Sequence, residues 1–200
     1  MKSIYIYGAS GHGLVVADIA HTCGYTDIRF LDDGDNCYPT FNDIKNRNNI
    51  PIAFGIGNNY IRAKLFTKVS KDGFEVVSLI HPSSIIASNV KVGKAVVIMA
   101  NTVINANSEI AEGVIINTGS IIEHECVVDS FSHISPNVAL AGNVKINKFS
   151  HIGIGSCIIQ GLTIGKNCII GAGSVVIKDI SDNKKAYGNP CREVGDTINE

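Results

Sequence analysis

Ile86, Val92, Ile98, Ile104, Ile110, Ile116, Ile122, Val128, Ile134, Leu140, Ile146, Ile152, Ile158, Ile164, Ile170, Val176: in this stretch every sixth residue is aliphatic, without exception. Four residues after each comes a second, mostly small set that includes Thr102, Ser108, Ser120, Cys126, Ser132, Ser150 and Ser156. A helix repeats its apolar positions about every 3.6 residues and a half-buried strand every two, so a period of six belongs to neither. A fixed short repeat marks a solenoid, and the hexapeptide version is a parallel β-helix. The branched residue points inward from each flat face, and the small one lets the chain turn the corner. Three hexads close a triangular coil of about 18 residues, so the run supplies roughly five coils.

The 200 residues are 45% hydrophobic and 18% charged, with a formal net charge of −1. That composition excludes a disordered chain and gives no basic footprint for nucleic acid. No stretch reads as a membrane span, and Lys2-Ser-Ile-Tyr-Ile-Tyr7 reads as a strand rather than a signal peptide. The six cysteines show neither CxxC pairing nor zinc spacing, and Cys126 and Cys168 fall on small corner positions. Reduced cysteines and a cytoplasmic location are expected.

Ahead of the repeat the pattern changes. Ile4–Tyr7 is an apolar strand that runs into Gly8-Ala-Ser-Gly-His-Gly13, then a helix over Leu14–Cys23 closed by Gly24. A second strand, Ile28–Leu31, ends in Asp32-Asp33-Gly34; a polar stretch runs to Asn49. A strand at Ile52–Ile56, a helix from Tyr60 to Lys71 with Ile61, Leu65, Phe66 and Val69 on one face, and a strand at Glu75–Ile80 complete the region. Alternating strands and helices imply parallel βαβ units. The expected architecture is an α/β Rossmann-like domain over 1–81, then a β-helix domain with a C-terminal tail over 82–200, divided at His81-Pro82.

The glycine turn places backbone N–H groups and a helix N-terminus where a phosphate can sit, and Asp32 and Asp33 stand where a ribose or base would be bonded. The spacing is G-x-x-G-x-G rather than the dinucleotide G-x-G-x-x-G, and about eighty residues make half of a dinucleotide sheet. A mononucleotide diphosphate suits it better than a nicotinamide cofactor, although an NAD-binding oxidoreductase is the rival reading. On the coils, Glu123-His124-Glu125 sets a histidine between carboxylates, the arrangement of a general base. His133 and His151, eighteen residues apart, should stack on one edge. Gly142, one coil above His124, lets a backbone N–H approach a ligand closely and hold a developing oxyanion.

Several motifs together are specific: Ile6-Tyr-Gly-Ala-Ser-Gly-His-Gly-Leu14, Phe30-Leu-Asp-Asp33, Gly55-Ile-Gly-Asn-Asn59, Ile116-Asn-Thr-Gly-Ser-Ile-Ile-Glu-His-Glu-Cys126 and Ala141-Gly-Asn-Val-Lys-Ile146. They resemble the NeuD/PglD-type sugar acetyltransferases across nearly the whole chain. The resemblance implies a left-handed β-helix, a homotrimer with active sites between subunits, and acetyl-CoA in the groove between coils. It implies a UDP-linked 4-amino-4,6-dideoxy sugar as acceptor, with O-acetylation of a sialic acid-like sugar or N-acetylation of a GDP-linked amino sugar as alternatives. His124 becomes the base and Glu125 its partner; Asn117, His133, Ser135, Gly142, Ile154 and Ala172 belong to the acetyl-CoA groove. Gly8, Ser10, Gly11, His12, Asp32, Asp33 and Asn58 belong to the nucleotide-sugar site. Cys191 stands where the family's closing G-x-P-A-K/R segment carries alanine, and Ala172 where close relatives carry glycine. No metal is expected; a metal-dependent γ-carbonic-anhydrase-like protein would need His124, His133 and His151 to converge.

Overall fold

The computed structural model describes residues 2–45 and 49–197, so residues 46–48 of the polar stretch lie outside it. The chain forms a small α/β unit followed by a left-handed parallel β-helix. In the α/β unit, strands β1 (Ser3–Tyr7), β2 (Asp27–Leu31) and β3 (Ile52–Phe54) form a parallel sheet in the order β2-β1-β3. Helices α1 (Gly11–Thr22) and α3 (Asn59–Lys71) connect and cover it. The polar stretch also contains a short helix, α2 (Phe41–Ile44), closed by a capping box between Thr40 and Asp43.

Two readings need correction. The segment 75–80 is not one strand: Val76 bridges to Ile52, while Leu79–Ile80 pairs with Val97–Ile98 as the first strand of the solenoid. The architecture thus changes between Val76 and Leu79, ahead of His81-Pro82. On α3, Leu65, Phe66 and Val69 pack inward as expected, but Ile61 is 50% exposed and Asn59 and Arg62 are buried as well. The α/β unit packs α3 against a neighbouring surface that offers carbonyls, and a guanidinium answers it better than an isoleucine does.

Each solenoid coil contributes one two-residue strand to each of three faces, in parallel register at eighteen-residue steps. From Ile98 to Val176 the aliphatic series is buried in one continuous core, each side chain worth about 1.5–3 kcal/mol on burial. The small series closes the coils to one another. Ser108, Ser120, Ser132, Ser150 and Ser156 are fully buried, and each hydroxyl donates to a carbonyl fifteen residues on. A third column appears at the second residue of each corner. At fourteen positions from Ala95 to Gly173, every sixth residue has φ between +55° and +74°; ten of them are Asn or Gly, and the others are Ala95, Glu125, Phe131 and Phe149. Asn and Gly tolerate this left-handed conformation best.

The three faces differ. The first carries Leu79, Val97, Ile115, His133, His151 and Ile169 outward; its lower part is buried against Ile4, Ile6, Val16, Ile19 and Ala20 of the α/β unit. The second presents Ile85, Val103, Ile121, Ala139, Cys157 and Val175, uncovered, with Ile85 68% exposed. The third is polar, with Lys91 paired to Glu109. No helix among the described residues is long and apolar enough to cross a membrane.

Candidate active site

His124 and Glu125 lie at the corner between the second and third faces. Consecutive strand residues point apart, but Glu125 has φ +61°, and this left-handed turn swings its carboxylate to the imidazole, Nδ1···Oε2 3.1 Å. Holding a glutamate in this conformation costs of order 1 kcal/mol or more. In the corners above and below, the column has Asn143 and Asn107. With Nδ1–H facing the carboxylate, Nε2 keeps its lone pair for a proton. The ring lies over Gly142: a Cβ there would come within 2.6 Å of Cε1 and Nε2. The Gly142 N–H has no partner among the described residues. Imidazole, carboxylate and free amide therefore meet on one edge.

Asn117, Ser135, Ile154 and Ala172 line a different edge, between the first and second faces. Within one chain the whole breadth of the second face separates them from His124. Asn117 also fixes a proton. Its Oδ1 accepts the Thr118 N–H at 2.8 Å, so its Nδ2 faces His133 Nε2 at 3.1 Å. Neutral His133 then carries its hydrogen on Nδ1, a buried donor on the side of the Gly57 backbone that makes no well-formed hydrogen bond among the described residues. His133 is 8% exposed and stacks on His151 with centroids 4.7 Å apart. His151 Nε2 lies 2.8 Å from Ser135 Oγ. Burial, with His151, Arg62 and His12 nearby, lowers the His133 pKa to about 2. His12, whose ring centroid is 6.0 Å from that of His133, has its pKa lowered to about 4 by burial and Arg62, and its Nε2 has no partner among the described residues.

The glycine turn is a backbone-to-backbone junction. A Cβ on Gly13 would strike the Gly8 carbonyl, and one on Gly55 would lie 2.6 Å from the Gly13 Cα. Gly11 has open space where a side chain would project, and Ser10 caps α1 without a side-chain hydrogen bond. The first turn of α1 is thus left without a side-chain cap on its N–H groups, as an anion site requires. Asp32 accepts from the Ala9 and Gly34 amides, and these bonds hold its carboxyl below the usual range. Asp33 accepts from Tyr7 Oη, Lys68 Nζ and the Phe41 amide. Burial opposes its ionisation, but these donors outweigh it and lower the pKa. Asn58 caps α3 by accepting from the Ile61 amide. Tyr7, Gly8, Asp32, Asp33, Ile56, Ile61 and Leu65 surround a pocket at the strand ends.

Arg62 and Asn59, which tie this unit to the solenoid, were absent from the sequence-based site, as were Phe131 and Phe149. The left-handed column would have flagged both phenylalanines, since they break its Asn/Gly rule as Glu125 does. Among the described residues no three His, Cys, Asp or Glu side chains converge as metal ligands.

Comparison with known proteins agrees with this layout. The profile of the PglD N-terminal domain family matches residues 3–69. A UDP-N-acetylbacillosamine N-acetyltransferase of Bacillus subtilis (strain 168) is 33% identical over 115 residues. That match covers 50% of this chain and 52% of the relative, about half its length. PerB from Caulobacter crescentus, solved with CoA and GDP-perosamine, superposes with a TM-score of 0.92 at 34% identity, over 96% of this chain and 97% of that one. The acetyltransferase domain of PglB from Neisseria gonorrhoeae FA1090, solved with acetyl coenzyme A, gives 0.90 at 36% identity, over 96% and 99%.

Proposed function

The chain belongs to the PglD-type hexapeptide-repeat sugar acetyltransferases, and from that membership we propose that it moves the acetyl group of acetyl-CoA onto the 4-amine of a UDP-linked 4-amino-4,6-dideoxy-N-acetyl sugar. The observation that carries the reading is the His124–Glu125 pair lying over Gly142. The neutral amine attacks the thioester carbonyl, forming the carbon–nitrogen bond and a tetrahedral oxyanion, and collapse of that oxyanion then breaks the carbon–sulfur bond. His124 Nε2 takes the amine proton and passes it to the departing thiolate of CoA. The Gly142 N–H supports the oxyanion between these steps. Fixed geometry supplies the largest share, on the order of 7 kcal/mol or more at best.

Asn117, His133, Ser135, Ile154 and Ala172 form the coenzyme groove in this reading, and Gly8, Ser10, Gly11, His12, Asp32, Asp33 and Asn58 receive the nucleotide sugar. The protein works as a homotrimer. The second face carries an uncovered aliphatic column and is bounded on one side by the His124 edge and on the other by the Asn117 edge. Packing copies around a threefold axis covers that face and brings one chain's base to the next chain's coenzyme edge, a head-to-tail contact that closes. Ile121→Glu should therefore give monomers without activity, seen by sedimentation and thiol release together; an active monomer would refute the shared site.

The identity to the Bacillus protein favours UDP. The near full-length match to PerB with GDP-perosamine supports a GDP-linked acceptor as the second reading. Thiol release from acetyl-CoA against a panel of UDP- and GDP-linked 4-amino sugars decides between them. Turnover of none of these sugars would overturn the function.

A further inference from the structure

Arg62 is fully buried and has no carboxylate partner among the described residues. Its hydrogen bonds run to neutral groups: Nε to the Gly113 carbonyl at 2.7 Å, Nη1 to Ile56 and Gly57 at 3.0 and 3.1 Å, and Nη2 to Asn59 Oδ1, Phe131 and Ser132. Burying a cation this way is expensive unless every donor is satisfied, so the arrangement calls for an explanation. Gly113, Phe131 and Phe149 are the left-handed corner residues of three successive coils. Their carbonyls receive Arg62 Nε, Arg62 Nη2 and Asn59 Nδ2 in turn. Helix α3 thus grips one corner of the solenoid coil by coil. The other edge of the same guanidinium holds the Ile56–Gly57 carbonyls, in the loop that packs against Gly8 of the phosphate turn.

We propose that Arg62 is a positioning residue for acetyl transfer, locking the 55–58 loop to the corner ladder and thereby setting where the nucleotide sugar lies against the coenzyme edge. This rests on the function proposed above. A structural role alone would lower the active fraction, and so kcat, with both KM values unchanged. A positioning role separates the two substrates, because the coenzyme edge belongs to the solenoid alone.

The test is steady-state kinetics of full-length Arg62→Met and Arg62→Lys with both substrates, alongside calorimetric titration of CoA. In both variants the acceptor KM should rise about tenfold or more, since small misplacements carry large penalties. CoA affinity should stay within about twofold. Lysine keeps the charge and loses the planar fork, so a lysine variant with wild-type acceptor KM overturns the assignment. Should Arg62→Met fail to fold, Asn59→Leu removes one rung of the ladder and should raise the same KM by a smaller factor; an unchanged KM again overturns it. Wild-type protein that acetylates no nucleotide-linked amino sugar sinks the function itself, whereas an active wild type with unaltered variants sinks only the role of Arg62.

Discussion

The outer edge and the buried seam use the same side chain in opposite settings. At the edge His124 is 59% exposed, paired with a carboxylate, and rests on a glycine. In the seam His133 is stacked on a second imidazole, close to a third and to a buried guanidinium, with no carboxylate bonded to it. The seam disfavours a protonated ring by burial and neighbouring positive groups, whereas the edge leaves its ring in solvent beside a carboxylate. In the proposed function the exposed histidine cycles its proton, while the buried one stays neutral and holds a fixed hydrogen-bonding direction.

The sharpest way to break this contrast is His124→Ala. We expect kcat to fall about 10²–10⁴-fold with acceptor KM little changed; near-normal kcat would remove His124 from proton transfer. The seam should reveal itself in acid. A histidine whose folded pKa is depressed contributes stability that is complete above the unfolded value, near 6.5, and is lost as pH falls below it. With His133 near 2 and His12 near 4, each imidazole loses up to about 1.4 kcal/mol per pH unit below 6.5. Melting curves should show about 2 kcal/mol lost between pH 6.5 and 5.5, and His133→Asn should flatten that slope; a wild-type slope in the variant would refute neutrality in the seam.

Smaller effects refine the edge. Gly142→Ala drives a methyl into the His124 ring, so kcat should fall about 10–100-fold while the melting temperature barely moves, because a misplaced group costs rate before stability. A variant with unchanged kcat would mean that the ring does not work from this position. Glu125→Gly should lower kcat about tenfold, near 1.4 kcal/mol. The same change relieves a left-handed glutamate, so stability should hold or rise by about 1 kcal/mol. Loss of stability would show that Glu125 is there for the fold.

The solenoid was legible because each hexad pairs in register with the hexads one coil above and below it. Its code is therefore local, and Ile98 through Val176 could be read as core directly. The placing of Gly142 against His124 was legible for the same reason, since eighteen residues is one step of that lattice. The α/β unit was less transparent. The sequence pattern sets Ile61 on one face with Leu65, Phe66 and Val69, yet it is half exposed while Arg62 is buried, because what lies across from that part of α3 is a row of corner carbonyls that only docking provides.

The period of six by itself determined the prism, its core and the vertical alignment of polar groups, since parallel strand pairing fixes register once the repeat is set. Tertiary structure alone decided which face the α/β unit covers, which edge keeps a histidine in solvent, and why a cation sits among carbonyls. Those outcomes depend on surfaces far apart in the chain, and no short-range pattern records which of them will meet.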